Sequence, residues 1–421
     1  MTTDRTKVVV VGGGFAGLET AFLIRQKLGD RADITLVSDR EQFLFKPNTI
    51  YIPFGASEES LLIPLERAAG KRGIQFVRGS FESLDKSARV VEAGGQELPY
   101  DYLVLATGAG MNAAEIPGLA EHAETIWTPA EMERLGGRLR SLLAESEDGR
   151  TRTLLFLVPP NNKCAGPLYE LVFMVETWLR KRRVRDRFRL IWTTYEAAYI
   201  AAFGPKLHDV VVEEFAERDI EGHTNWRVES VNGDDVQYEG GETIPYNLLV
   251  AFPPYVAAVR YDGLPQDQRG FLQTEAGSRR VVGEDRVYAP GDSGDFPVKQ
   301  AFLAFLQADA VAEDIAARVE TREPRFAFDP ISMCVMEEFD KATFAQVPLR
   351  VTGDPDRPVE VRPDADDDYR VGVSPVWRLG KKVLGVYLPL RFKAGRPFHA
   401  GAPWRAMDMG LKGMSKTLAR R

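Results

Sequence analysis

Cys164 and Cys334 are the only thiols in this chain. Cys164 stands in Pro159-Pro160-Asn161-Asn162-Lys163-Cys164-Ala165-Gly166, between an apolar run (residues 153–158) that reads as a buried strand and a helix opening near Pro167. A strand, a short loop and a helix in that order normally hold a dinucleotide through closely spaced glycines. Here the glycines are missing and a thiol takes their place. Pro167 suits the first helical position, and the helix dipole and adjacent Lys163 both favour a thiolate, which predicts a lowered pKa and a reactive sulfur. Met333 and Phe339 give Cys334 an apolar setting, where a free cysteine also serves as a small hydrophobe. Two cysteines make no disulfide framework, so a bridge between them in a reducing compartment would be catalytic rather than structural.

An intact version of the loop lies near the other end of the sequence. Lys7-Val8-Val9-Val10-Val11 is a β-branched run, Gly12-Gly13-Gly14-Phe15-Ala16-Gly17 follows, and a helical stretch reaches from Leu18 to about Leu28. Gly12, Gly14 and Gly17 set out G-x-G-x-x-G in the strand–turn–helix context that makes the motif a dinucleotide site. The first glycine makes the turn and the second lets the backbone approach a pyrophosphate. The third lets the helix pack on the strand with its N-terminal amides facing the anion. A second strand over residues 34–37 ends at Ser38-Asp39, about 20 residues on, where an acid binds a ribose hydroxyl.

The elements that must position these loops alternate strand and helix over 421 residues, too many for one core, so two or three domains are expected. A hydrophobic content of 44% is that of a globular protein, and a net charge of -7 gives no support for nucleic-acid binding. No signal-like apolar segment precedes the first strand, and no apolar run is long enough to cross a bilayer. No metal site is expected.

Residues 102–105 read as a strand running into Ala106-Thr107-Gly108, and residues 286–289 as a strand ending in Pro290-Gly291-Asp292. With the glycine loop, these segments resemble the Ala-Thr-Gly and Gly-Asp signatures of the FAD-dependent pyridine nucleotide–disulfide oxidoreductases. The resemblance implies an α/β fold with two Rossmann-like domains. One is a discontinuous FAD domain, 1–118 and 245–322, into which a second domain, 119–244, is inserted. A C-terminal region, 323–421, follows. It further implies FAD on Gly12, Gly14, Gly17, Ser38, Asp39, Thr107, Gly108, Gly291 and Asp292, with Asp292 on the ribityl chain. Both thiols being assigned to catalysis, the FAD is expected to be non-covalent.

Within that superfamily the chain resembles the sulfide:quinone oxidoreductases and the flavoprotein of flavocytochrome c sulfide dehydrogenase. The resemblance is carried by Cys164-Ala165-Gly166-Pro167-Leu168-Tyr169-Glu170, by residues 34–40 with Phe45 and Pro47, by Pro297-Val298-Lys299, and by Ser332-Met333-Cys334-Val335 with Phe339. It implies hydrogen sulfide as donor and a quinone as acceptor. Cys164 and Cys334 would be bridged, directly or through extra sulfur, on one face of the flavin. Hydrosulfide opens the bridge, Cys334 passes two electrons on, and polysulfide or zero-valent sulfur leaves. Glu170 is placed to relay protons, or is simply an acid favoured at a helix N-terminus. Lys299, read as lying in the first turn of its helix, is placed against the reduced flavin, with a plain surface lysine as the alternative.

From Trp377 onward eleven Lys and Arg, Arg420 and Arg421 among them, face one acid, Asp408, after an acidic stretch from Asp354 to Asp368 that includes Pro355 and Asp356. Residues 404–418 form a Met-rich amphipathic pattern with basic ends. Such segments lie in membrane interfaces, drawn by anionic lipid. The expectation is a peripheral membrane protein on the cytoplasmic face of a bacterial-type inner membrane; a homo-oligomer is left open. Two other readings fit parts of the sequence. One is a relative of type II NADH:quinone dehydrogenases, which the missing second glycine loop opposes. The other is a non-catalytic flavin-binding scaffold that docks a partner through its tail.

Overall fold

Val8, Val9, Val10 and Val11 are β-branched and at most 3% exposed, so the run Thr6–Val11 forms a central strand buried on both faces. It belongs to a five-stranded parallel sheet in the spatial order Val287–Tyr288, Tyr102–Leu105, Thr6–Val11, Ala32–Ser38, Gln75–Arg78. A computed structural model describes residues 5–354 and 357–418. Residues 1–4, Pro355 and Asp356 of the acidic stretch, and Arg420 and Arg421 of the basic tail lie outside the described residues.

A second five-stranded parallel sheet runs Glu124–Thr125, Leu248–Ala251, Arg152–Val158, Phe188–Thr194, Ile220–His223. Leu248–Ala251 pairs with Arg152–Val158, so the anticipated boundary at residue 245 is corrected: the chain completes the inserted sheet before returning to the first. That strand is a uniformly apolar run, and nothing in its pattern says which of two parallel sheets it joins. In both sheets the central strand has neighbours that depart in opposite directions, which opens a crevice at its carboxyl end. Gly12-Gly13-Gly14 and the Cys164 loop leave the sheets at these two points.

The third layer is antiparallel. Ile331–Glu337, Ala342–Val351, Val359–Val361 and Arg370–Ser374 form one sheet, with Ala342–Val351 pairing all the others. Helices Pro375–Lys393 and Gly401–Leu418 follow. Phe392 inserts among Phe22, Phe43 and Phe305 in edge-to-face contacts, anchoring helix Pro375–Lys393 against helices Phe15–Leu28 and Ala301–Val319. Arg218, 3% exposed, ties the second sheet's helix to the antiparallel sheet through Glu176, Glu214, Glu338 and Asp340. These contacts fix the three layers around one cavity.

Candidate active site

The first glycine loop behaves as a cradle. A Cβ on Gly12, where φ is +119°, would lie 2.2 Å from the Ala106 carbonyl oxygen, and one on Gly17 would lie 1.8 Å from the oxygen of Gly12. Gly14 has nothing within 4 Å of its Cβ position, so the amide end of helix Phe15–Leu28 opens into free space. That space is a cavity of about 600 Å³, lined at this end by Gly12, Gly14, Ser38, Asp39, Thr107 and Gly108. Asp39 is exposed at its rim, and the Thr107 hydroxyl is 2.7 Å from that of Tyr261. Gly17 does not line the cavity, in keeping with a packing role. Gly291, expected on the cofactor, is corrected in the same sense. Its Cβ position is occupied by Ala16 at 2.8 Å, and its amide donates to Gln307, so it seats helix Ala301–Val319 rather than facing a ligand.

Asp292 does face the cavity, and its carboxylate accepts no hydrogen bond from any described residue. Burial pushes its pKa up, while Lys299 and Lys46 pull it down. Lys299 is corrected in position: it precedes helix Ala301–Val319, after Pro297 and Val298, and is 3% exposed rather than a surface lysine. Its ammonium donates to the Gly294 carbonyl and sits 3.8 Å from the centre of the Phe271 ring, and burial lowers its pKa to about 7. Lys46, missed in the sequence, lies 2.9 Å from the centre of the Trp127 ring and is likewise brought to about 7 by burial. A carboxylate without a donor, two desolvated ammonium groups and an open helix N-terminus suit a dinucleotide that carries hydroxyls and anionic oxygens. The residues fit FAD.

Both sulfurs line the same cavity. Cys164 is held by an Asn162 turn in which Oδ1 accepts the Cys164 amide at 2.9 Å, while the Asn162 side chain anchors to the Phe252 carbonyl. Cys334 lies in strand Ile331–Glu337, opposite Ala345. The point that a Cβ on Gly166 would occupy is 3.9 Å from each Sγ, so the sulfurs are no more than twice that distance apart. Neither thiol is in a disulfide. The expected thiolate at Cys164 is corrected. Burial pushes this thiol up to about 12, with Cys334 adding to the shift, and the Gly166 amide at the helix N-terminus only partly offsets it. Lys163 does not help, because burial disfavours its own charge. Burial also brings Cys334 to about 12, aided by Glu170. In an apolar wall desolvation outweighs the helix dipole.

Glu170 is 8% exposed on helix Gly166–Lys181. It pairs with Lys381 and accepts the Glu337 amide at 3.1 Å. Burial raises its pKa against the pull of Lys381. Behind it Glu337, fully buried, accepts from Tyr51 at 2.9 Å and Arg378 at 2.6 Å. Lys381 was legible only as one more basic residue of the tail. The signal for its role was its spacing with Trp377, Leu384 and Leu388, which puts it on the buried face of helix Pro375–Lys393. Cys334, Met333, Lys381, Leu384, Leu388 and Trp404 also line the cavity and make this part of its wall largely apolar. One chamber therefore joins a dinucleotide cradle, a sulfur pair and an apolar recess.

Comparison with known proteins finds similar chains and a similar fold. Residues 6–140 match the family described as pyridine nucleotide-disulphide oxidoreductase. A sulfide-quinone reductase of Aquifex aeolicus is 32% identical over 258 residues, 59% of this chain and 58% of that protein. The mitochondrial sulfide:quinone oxidoreductase of Dictyostelium discoideum is 24% identical over 71% of this chain and 68% of that one. The chain thus spans little more than half the length of the first relative and about two thirds of the second. The X-ray structure of the Aquifex aeolicus sulfide:quinone oxidoreductase superposes with a TM-score of 0.84 at 23% identity, covering 97% of this chain and 96% of that one. The chain is therefore similar to sulfide:quinone oxidoreductases in sequence over part of its length and in fold over nearly all of it, and residues 6–140 match the wider pyridine nucleotide-disulphide oxidoreductase family.

Proposed function

We propose that this chain is an FAD-dependent sulfide:quinone oxidoreductase. The observation that carries the reading is that both sulfurs lie 3.9 Å from one point beside Gly166, inside the cavity that holds the glycine cradle. In the working cycle the two cysteines start bridged. Hydrosulfide attacks the bridge, one S–S bond breaks and another forms, and the products are a persulfide on Cys164 and a thiolate on Cys334. Closing the bridge again, one sulfur longer, releases two electrons and one proton. FAD, when bound, supplies the two-electron relay between this sulfur and the acceptor. Glu170 and Lys381 hold the released proton between the sulfur pair and the apolar recess. The recess suits a quinone, which has an apolar body and two carbonyl oxygens.

In this reading Gly12, Gly14, Ser38, Asp39, Thr107, Gly108, Asp292 and Lys299 hold FAD without a covalent link. The FAD domain takes residues 1–118 and the chain from about 252 to 322, around an inserted domain. Membrane attachment is assigned to helix Pro375–Lys393 rather than to residues 404–418. Trp404 and Leu411 are buried, whereas Leu379, Val383, Val386 and Leu390 are 53% or more exposed and recur every three to four residues on one face. Lys382, Lys393 and Arg396 lie near that face for anionic lipid. No helix among the described residues is long and apolar enough to cross a membrane.

Anaerobic titration tests the enzyme reading. Sulfide is expected to bleach the oxidised flavin band and added quinone to restore it. Bleaching by NADH with sulfide inert would contradict it. Replacing Leu379, Val383, Val386 and Leu390 with serine is expected to release the protein from anionic liposomes, and unchanged co-sedimentation would remove the helix from that role.

A further inference from the structure

The Cys164 loop is fastened to residues 252–255, a segment that the sulfur chemistry above does not use. The Tyr255 amide donates to the Asn161 carbonyl at 3.0 Å, and the Asn162 side chain reaches the Phe252 carbonyl at 2.9 Å while its Oδ1 accepts the Cys164 amide. Tyr255 opens a short strand, Tyr255–Ala257, that pairs antiparallel with Ala109–Met111, so its backbone is fixed beside the loop. Its ring stands edge to face against Trp127 at 5.7 Å and Phe252 at 5.5 Å between centres. All three aromatic residues line the cavity together with Cys164. Tyr255 is only 3% exposed, and its hydroxyl forms a hydrogen bond with no described residue. A buried hydroxyl without a protein partner is costly unless a ligand meets it. Burial holds this phenol well above its ordinary pKa, with the charges that Cys164 and Asp292 carry adding to the shift, so the hydroxyl stays a donor throughout the working pH range.

Thiol–disulfide exchange puts negative charge on sulfur, and both cysteines lie in a wall whose burial disfavours it. The Gly166 amide offers Cys164 one donor for that charge. Tyr255 is not bonded to Cys164 Sγ itself, which leaves its hydroxyl for a sulfur added to that atom. We propose that the Tyr255 hydroxyl donates a hydrogen bond to the outer sulfur of the persulfide on Cys164, as a further catalytic residue of sulfide oxidation. The proposal rests on the sulfide reading given above. In the step hydrosulfide bonds to Cys164 Sγ, the S–S bond of the bridge breaks, and its electron pair stays on Cys334 as a thiolate. The proton brought by hydrosulfide leaves for Glu170 and Lys381, and the outer sulfur becomes an anion. Tyr255 keeps its own proton; a hydrogen bond to the charged form raises the deprotonated share of the persulfide and fixes where the outer sulfur lies. That anion then bonds to Cys334 Sγ, and the bridge closes one sulfur longer as two electrons pass to FAD.

Tyr255→Phe in the full-length, FAD-loaded protein tests the proposal, because it removes one oxygen and keeps the ring against Trp127 and Phe252. Under anaerobic conditions the flavin is reduced in stopped-flow by sulfide or by dithionite, which bypasses the cysteines. Reduction by sulfide is expected to slow roughly tenfold to a hundredfold, the range for a lost hydrogen bond to a charged group. The dithionite rate, reoxidation by decylubiquinone and the flavin-to-protein ratio are expected to stay as in the native protein. An unchanged sulfide rate would overturn the proposal. Equal slowing with both reductants, or loss of FAD from the variant, would overturn it in favour of a hydroxyl that serves the cofactor. Native protein whose flavin is reduced by dithionite but not by sulfide would instead overturn the sulfide reading, and this proposal with it.

Discussion

Residues 12–17 and 159–166 occupy equivalent places, each leaving the carboxyl end of a central parallel strand and opening a helix. In the first loop, backbone oxygens stand 2.2 Å and 1.8 Å from where side chains on Gly12 and Gly17 would begin. In the second, the one glycine, Gly166, meets nothing closer than two sulfurs at 3.9 Å. The first loop is closed around its own backbone so that a ligand can touch amides. The second is open, and the gap that a nicotinamide dinucleotide would need is bordered by thiols. One topology therefore supports two chemistries, and the loop composition decides which.

Substitutions can break this contrast. Cys334→Ser is expected to abolish reduction of the flavin by sulfide while FAD stays bound, and Cys164→Ser to do the same. Retained reduction rates in stopped-flow would return either residue to a packing role. Next in size, Gly17→Ala is expected to weaken FAD binding about 100-fold, the equivalent of about 2.7 kcal/mol, because its methyl overlaps the Gly12 oxygen. The flavin-to-protein ratio after gel filtration reads this. The same change at the other loop, Gly166→Ala, is expected to leave FAD bound and to slow reduction by sulfide by about tenfold or less, since 3.9 Å is ordinary contact but lies in the path of a bridging sulfur. Equal FAD loss from both variants would erase the contrast between the loops.

The smallest effect concerns the thiols themselves. With burial holding Cys164 and Cys334 near 12, each unit of pH below that cuts the thiolate fraction tenfold. Alkylation of the reduced pair by iodoacetamide is therefore expected to keep accelerating through pH 10. A plateau near neutral pH would mean that the helix N-terminus outweighs desolvation after all.

The glycine loop as a turn, Cys164 as a loop residue and Glu170 on the first turns of a helix were legible from local sequence, whereas a role for Asp292 came from resemblance. Cys334 was legible only through resemblance. Its place opposite Ala345 depends on strand pairing, which leaves no signature in Ser332-Met333-Cys334-Val335. The helix dipole at Cys164 could be read from Pro167, but the apolar wall that overrides it is assembled from distant segments. Lys299 was set in the first turn of its helix, whereas Gln300 occupies the cap and the helix begins at Ala301. In the tail, the more conspicuous methionine pattern was taken for the lipid-facing element. Its Trp404 and Leu411 line the cavity while Met409 stays exposed, and the preceding helix carries a longer row of exposed apolar residues. Period alone gives a helix two faces; which one faces solvent is set by what the rest of the fold leaves uncovered.

The central claim is that the second loop receives electrons from sulfide and not from a nicotinamide. Stopped-flow reduction of the FAD-loaded protein by sulfide and by NADH, each under anaerobic conditions and at matched concentration, tests it most directly. Rapid bleaching by sulfide with negligible reduction by NADH is the result expected. Rapid reduction by NADH, with the flavin unmoved by sulfide, would contradict the account.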